Sequence, residues 1–422
     1  MIPLALDEVE QLCPGRLDAR PWADEVTGVE IDSRRISEGD LFVAVAGGED
    51  FAAHAFARGA SAVLVPDDGH EALAALGGAV RERAAARIVG ITGSTGKTST
   101  KDILAALCRP HARTVANEAS YNAELGVPLT LCRLEADTEI GIVEMGMRGL
   151  GQIDRLCSFT RPHVGVITAI GPVHLELLGS VERVAQAKAE VLRWVEIGIV
   201  PAEPLLEPFV PEGLELRRFA ASDVVSFAGG RGVFRLPEGT LELELGFTQR
   251  YQAVNTLAAL HAYAVLGLPL ERAQDGARDV VFSRWRGEEL ALPGDGVLVN
   301  DCWNANPVST AAALEHLVER AAGRRSLAVL GGMAELGDDS PRYHREIGET
   351  AKRLGVDVVL AVGPLARGYL AGRPDALWVE TVSEAIQELR ALLRAGDVVL
   401  VKGSRVIGLE AVAASLAPVT AA

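Results

Sequence analysis

The chain has 422 residues, 49% hydrophobic and 23% charged, too many for a single core and too apolar for a disordered polymer. A net charge of −16 argues against a nucleic-acid binder, which would carry a basic face, but leaves room for anionic ligands held by local cations. Five scattered cysteines without a CxxC pair, no apolar run long enough for a bilayer and early acids in "MIPLALDEVEQLC" argue against a disulfide scaffold, a membrane-spanning helix and a signal peptide, and lead us to expect a cytoplasmic protein.

Short β-rich runs alternate with helical stretches almost throughout, the pattern of α/β layers with parallel sheets. The first segment, 1–85, holds "LFVAVAG" and "SAVLVP" with a helical stretch between them, then Ala/Gly/Arg-rich sequence near 74–86 that reads as helix and linker. The second, 86–287, opens on "RIVGIT" and continues through "EIGIVEMG" and "VGVITAIG", both reading as buried strands. A helix is expected from about 180 to 195 and a loop over 200–216. The third, 288–422, repeats the pattern with "GVLVND", "RSLAVLGG", "VDVVLAVG" and "GDVVLVKGS", which suggests another doubly wound sheet; its alanine-rich tail reads as a helix end. The expectation is an α/β protein of three domains, the central one a doubly wound P-loop domain, the last Rossmann-like, the first small.

The chemistry begins at "GSTGKT". Gly93 and Gly96 let the backbone curl so that amides around Ser94 and Thr95 converge on phosphate oxygens. Lys97 offers an ammonium, Thr98 a hydroxyl for Mg²⁺, and the helix through Ser99 turns its positive end to the anion. The full motif asks for glycine where Ile91 stands. No "NKxD" guanine signature is present, which leaves ATP. Glu144 and His174 follow two further buried strands, on the side of a parallel sheet where ligands bind. They read equally as a second metal pair or as a capping glutamate and a surface histidine. By composition alone Lys188 is a helix-surface lysine.

Seven stretches in order, "GITGSTGKTSTK", "SYNAELGVPLTL", "VEMGMRGLGQI", "HLELLGSVERVAQAKAEVL", "NDCWNANPVS", "LGGMAELGDDSPRYH" and "VKGSR", closely resemble the Mur ligases of peptidoglycan precursor synthesis. The branch resembled adds D-alanyl-D-alanine to UDP-N-acetylmuramoyl-tripeptide with ATP, through an acyl phosphate. The resemblance implies that Lys97 and Thr98 hold the ATP phosphates and one Mg²⁺, and that Glu144 and His174 hold a second. Lys188 falls on the family's carbamylated lysine, whose amine takes up CO₂ to become an anionic metal ligand. Asn255 would read the adenine, Arg286 reach the nucleotide phosphates and Asp301 lie near the ribose. Asn304 and Asn306 would face the dipeptide, Ser33 and Arg34 the UDP-sugar, and Asn122 the sugar or its peptide. Lys402 and Ser404 would face substrate across the cleft. The first segment would then be the UDP-sugar domain, and the family's habit is a monomer.

The chain departs from the family pattern at Trp303, where tyrosine is usual, at Gly332, which removes a carboxylate, and at Ala52, Ala53 and Ala123. No base for the dipeptide amine stands out; His344 is a candidate, or else a histidine on a helix surface. The "DNPR" stretch associated with diaminopimelate-adding relatives is absent.

Overall fold

The computed structural model describes residues 1–416. Its centre is a six-stranded, all-parallel sheet, ordered Glu215–Phe219, Ile197–Pro201, Val164–Ile167, Arg87–Thr92, Ile140–Glu144, Thr114–Ala116. The inner strands are buried on both faces, so they read as unbroken apolar runs rather than alternating ones. The chain leaves Arg87–Thr92 toward one edge, returns through Ile140–Glu144, and then crosses to Val164–Ile167 on the other side. That reversal opens a crevice at the carboxyl ends of these three strands. The P-loop, Glu144 and the 168–174 segment all start there.

A second six-stranded sheet runs Glu288–Leu292, Gly296–Asn300, Val398–Lys402, Ser326–Gly331, Val358–Val362, Leu377–Val379, antiparallel only at its first edge. The helix Pro307–Ala321 follows Gly296–Asn300 and is started by proline at its first position and by Asn306, whose side chain accepts the Ser309 N–H. In the first segment a four-stranded sheet, Gly15–Ala19, Ala62–Pro66, Asp40–Val43, Gly28–Glu30, carries a helix at Ala52–Ala57 between its middle strands. The stretch expected as helix and linker is the helix Gly69–Arg83, capped by Asp68. A continuous apolar cluster joins this helix (Leu73, Leu76, Val80) to Val127 and Leu131 of the central segment.

Three local expectations are revised. The 180–195 helix ends as an α-helix at Ala189 and continues as a 3₁₀ turn, Glu190–Arg193. Glu190 is drawn inward there, its carboxylate accepting the Gly151 and Asp154 N–H groups at the start of the helix Gln152–Thr160. The 200–216 loop contains a 3₁₀ turn, Pro204–Phe209, and the beginning of the edge strand Glu215–Phe219. Beyond it lies an antiparallel meander, Val224–Ala228, Arg231–Leu236, Gly239–Glu244, that the sequence reading did not find. It packs Phe234, Leu236 and Leu243 against the helix Gln252–Val265. In the tail, Glu410–Leu416 is helical, and residues 417–422 lie outside the described residues. All five cysteines are free and buried, and no helix is long and apolar enough to cross a membrane among the described residues.

Candidate active site

The P-loop turns on two left-handed glycines, Gly93 at φ +149° and Gly96 at φ +81°. A side chain on Gly93 would collide with Thr168, and one on Gly96 with the Asn255 amide, so both sites need the missing Cβ as well as the dihedral. Ser94 ties the loop to the neighbouring strand end, exchanging hydrogen bonds with Gly171 at 3.0 and 3.1 Å. Thr95 C=O accepts from the Thr168 hydroxyl. Lys97 opens the helix Lys97–Cys108 and donates back to Gly93 C=O at 2.7 Å, while Thr98 is buried beneath it. Ser99 accepts from Gln252, whose Oε1 takes the Asn255 amide. Asn255 therefore stands against the phosphate loop, linked to the first turn of its helix.

Lys97 lies within electrostatic reach of Glu144, His174 and Lys188, and His174 within reach of Lys188. Burial, then Arg286, depresses the Lys97 pKa, and Glu144 raises it. Lys188 is 1% exposed, and burial followed by repulsion from Lys97 holds its pKa well below the lysine range. Burial is also the leading cause of the lowered His174 pKa, with Glu335 opposing and Lys188 and Lys97 reinforcing it. The surface-lysine reading of Lys188 fails because tertiary packing turns its face of the helix Val181–Ala189 inward.

Glu144 is held by a network absent from the sequence reading. Asn122 donates to its Oε1 at 2.6 Å, and the Asn117 side chain accepts its backbone N–H. Buried Lys101 pins that loop through Asn117 C=O at 2.9 Å and Ala119 C=O at 3.0 Å. Asn122, expected on the sugar or peptide, thus spends its amide on Glu144. The second carboxylate oxygen, Oε2, is buried and has no hydrogen-bond partner. A buried carboxylate oxygen without a hydrogen-bond partner suits a divalent ion, and His174, whose Nδ1 meets Glu335 at 2.5 Å, keeps its Nε2 free of that contact. No group of three His, Cys, Asp or Glu side chains is arranged for a metal among the described residues.

Arg286 enters from the boundary of the second and third segments. Its Nη2 donates to Ser120 at 3.0 Å, its buried Nε has no partner, and Glu144 and Asp301 oppose the burial that lowers its pKa. Its guanidinium lies 5.6 Å from the Trp303 ring, which stacks on Trp285 at 5.9 Å, so the change from tyrosine keeps an aromatic face here. Asp301 is paired with buried Lys402 at 2.6 Å.

Several expected substrate contacts are otherwise engaged. Lys402 serves Asp301 and Asn304 C=O, and Ser404 bonds Ala334 N–H and Ala305 C=O, so both polar groups are spent inside the third segment rather than toward a cleft. Asn306 caps its helix, and Asn304 is exposed with its carboxamide oxygen on Ala305 N–H. In the first segment Ser33 contacts His54 at 2.9 Å, while Arg34 pairs with Asp32 and is 82% exposed. His344 is neither a base nor a surface residue. It is fully buried, with Nε2 accepting the Met333 N–H at 2.9 Å and Nδ1 donating to Ser340 C=O at 2.7 Å.

Comparison with known proteins follows this geometry. The Mur ligase middle domain matches residues 91–263, the Mur ligase glutamate ligase domain 285–405, and the Mur ligase family catalytic domain 25–109. The UDP-N-acetylmuramoyl-tripeptide–D-alanyl-D-alanine ligase of Mycobacterium bovis is 34% identical, covering 99% of this chain and 98% of its own. The Escherichia coli ligase of the same name is 30% identical over 99% of both chains. Among solved structures, MurF from Acinetobacter baumannii superposes with a TM-score of 0.87 at 27% identity, covering 98% of each chain. MurF ligase from Thermotoga maritima in complex with ADP gives 0.79 at 26%, covering 92% of this chain and 96% of that one.

Proposed function

The chain belongs to the Mur ligase family, and from that premise we infer that it joins D-alanyl-D-alanine to UDP-N-acetylmuramoyl-tripeptide with ATP, in peptidoglycan precursor synthesis. What supports the mechanism is that the P-loop, Glu144 and the 168–174 segment follow the carboxyl ends of adjacent parallel strands, with Lys97 close enough to Glu144, His174 and Lys188 to shift or share their charge.

An ionised carboxylate resists attack by an amine, so it must first be activated. The γ-phosphoryl group of ATP passes to the terminal carboxylate of the tripeptide, giving an acyl phosphate. ADP leaves in that transfer; the dipeptide amine then attacks the acyl carbon, phosphate leaves with its bonding pair, and the proton of the new amide nitrogen passes to solvent. The loop amides and the start of the Lys97–Cys108 helix bind the phosphates, and the Lys97 ammonium opposes their charge. Arg286 adds a second fixed cation from the segment boundary, where its pairing with Ser120 holds the guanidinium in place.

Thr98 would hold a first magnesium ion, and Glu144, His174 and a carbamate on Lys188 a second. When bound, these ions neutralise the facing anions of carboxylate and phosphate. The buried, depressed amine of Lys188 favours the neutral form that adds CO₂. Asn122 aims the Glu144 carboxylate, leaving Oε2 free as a ligand.

We assign residues 1–85 to the UDP-sugar, with Ser33 and Arg34 on its rim, 86–287 to ATP, and 288–422 to closing the cleft. Asp301 stands for the ribose and exposed Asn304 for the dipeptide, whereas Asn306, spent on its helix cap, and Asn255, set against the phosphate loop, are given no substrate contact. The chain works as a cytoplasmic monomer on this reading. The test supplies ATP and UDP-tripeptide, then compares D-alanyl-D-alanine with single amino acids, following phosphate release and product mass. Product should form with the dipeptide; faster turnover with a single amino acid would overturn the assignment.

A further inference from the structure

Glu335 stands where the third segment meets the second, and both its carboxylate oxygens and its backbone carbonyl are used across that boundary. Its Oε2 meets His174 Nδ1 at 2.5 Å and its Oε1 meets Arg148 at 3.3 Å. Its backbone carbonyl accepts the Glu176 N–H at 3.2 Å. Glu335 and His174 both hold left-handed backbones, at φ +62° and +54°, without being glycine. Such conformations persist where the surroundings over-determine them, and they cluster at functional sites.

The loop that presents Glu335 is fixed from behind. His344 accepts the Met333 N–H, the Ser404 hydroxyl accepts the Ala334 N–H, and Leu336 is buried. These anchors belong wholly to the third segment, so the backbone that carries the carboxylate moves with that segment. On the other side, His174 follows the strand Val164–Ile167 of the central sheet. The hydrogen bond thus exists only while the two segments are together.

We propose that Glu335 is a positioning residue: carried onto His174 and Arg148 by the third segment, it fixes the imidazole and makes assembly of the second magnesium position depend on closure. This rests on the reading of His174 as a magnesium ligand. An imidazole whose Nδ1–H is given to a carboxylate presents Nε2 in one orientation, and removing such a partner typically lowers metal affinity ten- to a hundredfold. The device has a purpose in this reaction: acyl phosphate hydrolyses in an open site, so activation is best withheld until the acceptor-bearing segment has closed.

The test compares the full chain with Glu335→Ala, Glu335→Gln, His174→Ala and the Glu335→Ala/His174→Ala double variant. Two readouts are taken: the radius of gyration by solution X-ray scattering without ligands, and the Mg²⁺ concentration giving half-maximal phosphate release. Glu335→Ala should enlarge the particle and raise the Mg²⁺ requirement ten- to a hundredfold. Glu335→Gln keeps the shape and one acceptor, so it folds like the parent and should recover part of both effects. In the His174→Ala background, Glu335→Ala should add little to the Mg²⁺ requirement. Parent-like size together with a parent-like Mg²⁺ requirement in Glu335→Ala would overturn the proposal, as would full additivity in the double variant. If His174→Ala itself keeps the parent Mg²⁺ requirement, the ligand reading of His174 fails, and the coupling proposed here fails with it.

Discussion

Replacing Lys188 by methionine, which keeps its length and apolar stem, should stabilise the protein in buffer free of CO₂ and divalent ions. The side chain is fully buried, beside Lys97, with no hydrogen bond or ion pair to its amine among the described residues. In the unfolded chain the amine titrates near the ordinary lysine pKa of about 10.4, and each pH unit of depression is worth about 1.36 kcal/mol. At pH 7 the penalty of folding this amine is therefore capped at about 5 kcal/mol, the value for a group left wholly neutral in the folded chain. For a base with a depressed folded pKa, the penalty is complete below that pKa, where both states carry the proton. Stability then climbs as pH rises through it, because only the unfolded chain still binds the proton, and the difference closes near the unfolded value. The urea midpoint of Lys188→Met should thus exceed that of the parent at pH 6.5 by an amount equivalent to at least about 1 kcal/mol, within the range of large single-site effects. The gap should narrow steadily toward pH 9.5. Adding bicarbonate with Mg²⁺ should raise the parent midpoint and leave the variant unmoved. A variant no more stable than the parent, or one whose advantage grows with pH, would refute the argument.

Three further outcomes follow from the same network. Asn122→Ala removes a donor from a buried carboxylate already short of one partner, and should lower stability by about 1.5–3 kcal/mol in calorimetric melting. His344→Ala should destabilise by about 2–4 kcal/mol, yet leave both limbs of the pH–rate profile where they were, since neither ring nitrogen is free to take a proton from substrate. Lys402→Met strands the carboxylate of Asp301 and should cost about 3–5 kcal/mol; adding Asp301→Asn should recover part of that loss in the same denaturation assay.

The parts of the site legible in the sequence are those fixed by short-range geometry. The glycine spacing of the P-loop and the placement of Glu144 and His174 past apolar strands need only the rules of a parallel sheet, and the crevice they imply is present. The meander over 224–244 was missed although its last strand carries the signal, since Leu241, Leu243 and Leu245 alternate with Glu242, Glu244 and Gly246 and turn inward. The partners of the site escaped for a different reason. Asn122 and Glu144 are 22 positions apart and His174 and Glu335 are 161 apart, so no local pattern joins them. "AELG" and "SYN" were visible as motifs, but nothing in them says that the glutamate reaches a histidine or that the asparagine reaches a carboxylate.

His344 is the instructive error, because its signal was present. In the helix Ser340–Arg353, His344, Ile347 and Ala351 fall on one face at helical spacing, and that face is the buried one. A histidine on an apolar stripe must have both nitrogens satisfied or lose the free energy of an unpaired polar group. A backbone donor and a backbone acceptor meet that need, supplied by Met333 and Ser340. The same logic separates Lys188 from it. Lys188 sits on an equally buried face, but no hydrogen bond to its amine is present among the described residues, and burial beside Lys97 holds the amine toward the neutral form that chemistry uses.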